Sequence, residues 1–197
     1  MAADPPTATA TAGEQRRGSD PDPDDARGAQ LLFERDFEAP RDLVFRACTE
    51  PRWLVRWLGT PDRPLTVERY ELRDGGRWRY VVEDGFGQRH GFHGVFHGVP
   101  GPDLIVQTFE YDGRPGRVRV DTAALAEHGG ITSLRVVAGF PSLADRDDLL
   151  AGGAEREIRA SYDRLAALLS KLRTVTRMSE VMPVARRRLS PVRDESA

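Results

Sequence analysis

Apolar residues recur along this chain with two different periods, and the change of period divides it into elements. From Leu65 to Phe140 they alternate with polar residues in short runs, the period of strands that bury one face. The runs are TVERYELR, RWRYVVE, QRHGFHGVFHGV, DLIVQTFEYD, GRVRVDTAAL and ITSLRVVAGF. Turn-forming clusters separate them, among them Asp74-Gly75-Gly76, Asp84-Gly85, Pro100-Gly101-Pro102, Asp112-Gly113 and Gly129-Gly130. An earlier run, LLFERDFEAP, sets Leu31, Phe33 and Phe37 among charges and reads as a first strand. The six or seven strands are expected to be joined as hairpins in chain order, in an antiparallel sheet with one wet face.

Three stretches carry the helical period instead. In PRDLVFRACT, Pro40 suits the first turn, and Leu43, Val44 and Ala47 share a face. In EPRWLVRWL, Thr49 is expected as the cap and Pro51 in the first turn, with Trp53 and Trp57 four apart on one side. From Ser142 to Leu172 the pattern reads as one long amphipathic helix, interrupted near its start by Gly152-Gly153. Ser142 with Asp145 forms its expected cap. Ile158, Tyr162, Leu165, Leu169 and Leu172 form an apolar stripe at spacings of four and three. A curved antiparallel sheet must cover its apolar concave face, and this is the long amphipathic element available to do it. The fold class that follows is α+β, with two short helices after the first strand and the long C-terminal helix across the sheet.

Composition adds the boundaries. Residues 1–29 contain no aromatic residue and no aliphatic larger than Ala apart from Met1, too little apolar surface to offset the entropy of ordering, and are expected to be a disordered tail. The domain is expected over 30–173. The segment 174–197, with Arg186-Arg187-Arg188, reads as a mostly disordered basic tail in which Met178, Val181 and Met182 allow a further helical turn or two. The net charge of −2 with mixed signs gives no footprint for nucleic acid. No apolar run approaches a membrane span and the N-terminus has no signal core, so the expected location is the cytoplasm. The single cysteine, Cys48, excludes an internal disulfide and any multi-cysteine metal site, and reads as an inert helix residue.

Five of these segments, in this order, carry a resemblance. FERDFEAPRDLVFRACTEPRWLVRWLG, YELRDGGRWRY, DGFGQRHGFHGVFHGVPGPDLIVQTFEY, GGITSLRV and GAEREIRASYDRLAALL together resemble the START-like, Bet v-type (SRPBCC) superfamily. Within it they are similar to the homologues of the activator of heat-shock protein 90 ATPase, over roughly residues 31–172. The resemblance implies a helix-grip fold with a cavity between sheet and C-terminal helix that holds an apolar or amphipathic small molecule. It also brings two alternatives, a protein-interaction module acting on a chaperone or other ATPase in a stress response, and a cyclase or dehydratase of polyketide-like substrates.

The candidate ligand-binding residues are Trp57, Trp78, Tyr80, Phe92, Phe96, Phe109 and Tyr162. They either line the space under the long helix or fill the core there, and Gly94 and Gly98, on the face of Phe92 and Phe96, would leave free volume or let the strand bend. His90, His93 and His97 are the tempting metal cluster. Strand alternation puts His90 opposite the other two, and His93 and His97 lie about 13 Å apart along the strand, so no metal site is expected. Glu83, Glu110 and Asp121 read as isolated surface carboxylates, and Tyr80, Glu110 and His90 are the unranked candidates for a cyclase-type acid or base. The expectation is a non-enzymatic or weakly enzymatic binding protein, monomer or homodimer, with no cofactor and no catalytic residue assigned, in which Gly152-Gly153 loosens one end of the helix as a gate.

Overall fold

A computed structural model describes residues 28–181, with no account of the side chains of 99, 100 and 175–181. The strands are β1 (Gln30–Phe37), β2 (Leu65–Tyr70), β3 (Arg77–Glu83), β4 (Arg89–Gly101), β5 (Leu104–Tyr111), β6 (Arg119–His128) and β7 (Ile131–Gly139). The helices are α1 (Arg41–Thr49), α2 (Pro51–Trp57), α3 (Leu143–Ala151) and α4 (Ala154–Val181). The strands form one antiparallel sheet in the order β1-β7-β6-β5-β4-β3-β2. This is the α+β helix-grip architecture.

Strands β2 to β7 are consecutive hairpins, but β1 is not joined to β2 in that way. It pairs with β7, Phe33 opposite Val136, and α1 and α2 carry the chain from that edge of the sheet to the other. Thr132 closes the corner, its buried hydroxyl donating to the carbonyl of Ala39 at 2.6 Å.

The helix starts differ from expectation. Pro40 is the N-cap of α1 rather than a first-turn residue, and Glu50 takes the cap position of α2, whose first residue is Pro51. Thr49 ends α1, and its hydroxyl donates to the carbonyl of Phe45 at 2.7 Å. The Ser142 side chain does accept from the Asp145 N–H at 3.2 Å. The long helix is two helices, however. Gly153 has φ +78°, a conformation open mainly to glycine, so the chain turns there and α4 starts afresh.

The core lies where α4, α1 and α2 meet the sheet. Leu165 and Leu169 are fully buried against Phe37, Val44, Leu125 and Leu134. Further along the sheet, Trp78, Phe96 and Ile105 form a second buried group. The tails expected to be disordered, 1–29 and 174–197, lie mostly outside the described residues; Ala29 is buried, and α4 runs on to Val181.

Candidate functional site

Strand register decides what meets beneath α4. Tyr80 faces Phe92, Phe109 faces Arg119, Gln107 faces Asp121, Ala123 faces Val136 and Leu125 faces Leu134. These residues share the concave face because paired positions of an antiparallel ladder point the same way. The first turns of α4 supply Ile158, Ser161 and Tyr162, and α1 and α2 supply Cys48, Leu54 and Trp57. With the sheet residues other than Phe92, they line a cavity of about 210 Å³.

Of the seven predicted residues, Trp57, Trp78, Tyr80, Phe109 and Tyr162 line this cavity. Trp78 stacks on Tyr80 with ring centres 4.7 Å apart, and Tyr162 meets Phe37 edge-on at 6.3 Å. Phe92 lies outside it, in an adjoining chamber of about 250 Å³ that also takes in Phe109, Tyr111, Arg119 and one side of α3. Phe96 lines neither space; it is 1% exposed and packs edge-on against Tyr70 at 5.4 Å. Gly94 leaves no free volume, since a Cβ there would sit 1.9 Å from the Thr108 carbonyl oxygen and 2.7 Å from the Trp78 ring. The ladder shifts register beyond His97, at the stretch that contains Gly98.

The cavity holds polar groups that the aromatic pattern does not announce. Asp121 is buried rather than a surface carboxylate, and it accepts from Arg119 through both oxygens, from Nε at 2.9 Å and Nη2 at 3.1 Å. The Arg119 guanidinium lies 3.9 Å from the Phe109 ring centre, a stacked cation–π contact. One signal could have located this pair: Arg119 and Asp121 have the same parity in β6 as Ala123 and Leu125, the apolar positions of that strand. The Trp57 indole donates to the Ala47 carbonyl at 3.0 Å. The indole nitrogen of Trp78 is buried and has no partner among the described residues.

Removal from bulk water holds the acidic protons in place. Burial pushes the Cys48 thiol up to about 12 and raises the phenols of Tyr70, Tyr80 and Tyr162 well above the ordinary tyrosine value, since low polarity disfavours the charged form. Cys48 and the tyrosines are therefore neutral groups, with the phenols as donors.

A separate polar chain runs along the end of β4. His90 Nε2 lies 3.1 Å from Asp84 Oδ2, and His90 Nδ1 lies 2.8 Å from the Tyr111 hydroxyl. The hydrogen bond from His90, followed by those from the backbone N–H groups of Gln88 and Phe86, holds the Asp84 carboxyl below its usual value. His93 sits on the opposite face against Glu110 and Asp112, and His97 is exposed. Among the described residues no group of three His, Cys, Asp or Glu side chains could hold a metal ion.

Comparison with known proteins agrees with this architecture. The family model described as Activator of Hsp90 ATPase homolog 1-like protein matches residues 38–170. The chain belongs to that family. Its place in the START-like, Bet v-type superfamily follows. Among solved structures, a protein from Rhodobacter sphaeroides is 26% identical, with 74% of this chain and 95% of that one covered and a TM-score of 0.68. Ms6760 from Mycobacterium smegmatis is 22% identical, with 74% and 93% covered and a TM-score of 0.67. DynU16, a protein of the dynemicin biosynthetic locus, is 22% identical, with 72% of this chain and 47% of its own covered and a TM-score of 0.55. The latter two share the fold with this chain. No curated protein matches it. No helix among the described residues is long and apolar enough to cross a membrane.

Proposed function

We propose that this protein binds a hydrophobic or amphipathic small molecule in the cavity between the sheet and α4. The observation that carries the reading is the cavity of about 210 Å³ walled largely by apolar and aromatic side chains. A tightly packed interior leaves few voids larger than a water molecule, so a space of this size under the gripping helix calls for an occupant. It lies below the roughly 300–1,000 Å³ of drug-sized pockets, which points to a compact ligand. Burial of its apolar surface supplies the affinity, at roughly 25 cal/mol per Å² before the costs of association.

The test is native mass spectrometry of protein purified from its own host, together with titration of the neutral fluorophore N-phenyl-1-naphthylamine. A retained small molecule, or saturable fluorescence enhancement at one site, is expected. Ala123→Phe, which fills the cavity, should abolish both while the protein stays folded. No retained molecule and no enhancement would sink the reading, and co-purification of a chaperone ATPase in place of a ligand would favour an interaction module.

The Asp84–His90–Tyr111 chain favours a second reading, acid–base chemistry on a polyketide-like substrate. A carboxylate orienting an imidazole whose other nitrogen meets a hydroxyl is an arrangement able to move a proton. Turnover of a poly-β-ketone substrate that His90→Ala abolishes would establish it; an inactive wild-type protein would remove it.

A further inference from the structure

The Arg119–Asp121 pair is an unusual thing to find in the wall of a largely apolar cavity, because burying two charges is costly unless their geometry is good. Here it is good on one edge only. A guanidinium carries five N–H groups in a fixed plane. Asp121 takes the edge formed by Nε and Nη2. The end edge, formed by Nη1 and the second Nη2 proton, has no partner among the described residues. The Phe109 ring at 3.9 Å fixes the plane, and Arg119 lines both the cavity and the adjoining chamber. Its open edge is therefore a preorganised fork for acceptor oxygens.

The charge of the acceptor follows from Asp121. With that carboxylate already engaged, the pair is neutral, and a second carboxylate on the open edge would lie next to the first. In a site of low polarity, like charges in such proximity repel strongly. A carbonyl oxygen gains the charge-assisted hydrogen bond without that repulsion. A neighbouring group agrees: the Tyr80 hydroxyl, which lines the same cavity and is kept protonated by burial, is also a donor. The stacked rings of Trp78 and Tyr80 favour a flat body.

We propose that Arg119 and Asp121 set the specificity of the cavity, Arg119 donating to a neutral carbonyl oxygen on a flat ring compound and Asp121 discriminating against carboxylate ligands. The proposal rests on the reading of the cavity as a small-molecule site.

Three probes on one skeleton test it: 2-ethylnaphthalene, 2-acetylnaphthalene and 2-naphthoate, each measured by displacement of N-phenyl-1-naphthylamine from the full chain. In the unaltered protein the ketone should bind at least roughly tenfold tighter than the hydrocarbon, and the acid weakest. Asp121→Asn should move the acid at least roughly tenfold closer to the ketone, since the repelling charge is gone. Arg119→Met should bind the ketone no better than the hydrocarbon. The order in the unaltered protein needs no variant, so a misfolded variant leaves the test standing. If the hydrocarbon binds as tightly as the ketone, or the acid binds best, the specificity proposal fails while the binding site survives. If neither the fluorophore nor any probe binds, the binding site itself fails.

Discussion

Ile158 and Leu165 lie seven residues apart on one face of α4, yet Ile158 lines the cavity while Leu165 is fully buried in the core against α1, α2 and the sheet. The stripe thus does two things in succession, roofing a space with its first turns and closing a core with its later ones. Leu165→Ala is expected to lower stability by about 2–5 kcal/mol, as removal of a fully buried leucine does. Ile158→Ala borders space that is already open, so its cost in stability should be smaller and its larger effect should be on probe affinity. Urea unfolding and fluorophore titration of both variants check the contrast; equal stability losses would refute the division.

Gly152 and Gly153 are not equivalent, although they are adjacent. Gly153 holds φ +78°, where a side chain costs about 1–2 kcal/mol, so Gly153→Ala should destabilise by about that amount. Gly152 is right-handed at φ −71°, and an added Cβ would meet only ordinary contacts at 3.4 Å. Gly152→Ala should therefore be neutral or stabilising by up to about 1 kcal/mol. Urea midpoints of the two single variants distinguish a required turn from a merely loosened helix.

Helix α3 has no buried residue, and ion pairs whose arginines are exposed tie it to the β5–β6 connection. Arg117 contacts Asp145, and Arg114 lies 2.8 Å from Asp148. Ser142, and then Arg117, hold the Asp145 carboxyl below its usual value. Exposed pairs contribute only about 0–1 kcal/mol, so Arg117→Ala should leave the urea midpoint almost unchanged. Since α3 walls the chamber that shares Phe109 and Arg119 with the cavity, the same variant should speed fluorophore release in stopped flow. Unchanged release would show that the fluorophore does not pass α3.

Alkaline conditions should destabilise the protein through acids that are largely withdrawn from water. Burial raises Cys48 and three tyrosines, Tyr70, Tyr80 and Tyr162. A group whose folded pKa is raised binds its proton more tightly in the folded state, so its contribution is whole below the unfolded value and lost as pH rises toward the folded one. Those lower limits are 9.0 for the thiol and 10.0 for the phenols. The urea midpoint should thus be insensitive to these groups up to about pH 9 and fall progressively above it. Phenolate absorbance should rise with unfolding rather than ahead of it. Titration of Tyr70, Tyr80 and Tyr162 near 10 in folded protein would contradict their burial.

Local pattern determined much of this protein. Alternation located six consecutive strands, 3.6-residue periodicity located the α4 stripe, and Ser142 with Asp145 announced the start of α3, because each signal is carried by neighbours in the chain. The same alternation correctly separated His90 from His93 and His97. The resemblance of five ordered segments named the family before any contact was known.

What the tertiary structure alone decided depends on residues distant in sequence. Nothing local marks β1 as the partner of β7, since that pairing closes only once two helices have crossed the sheet. Phe92 and Phe96 share a face, but only neighbouring strands and Tyr70 determine that one reaches the second chamber and the other is sealed. Above all, Asp121 shares the parity of Ala123 and Leu125 in β6, but only when β6 is laid beside β5 does register bring Arg119 onto Phe109 and turn two charges toward a largely apolar space. Periodicity reports which face a residue takes; what waits on that face is a property of the whole sheet and the helix laid across it.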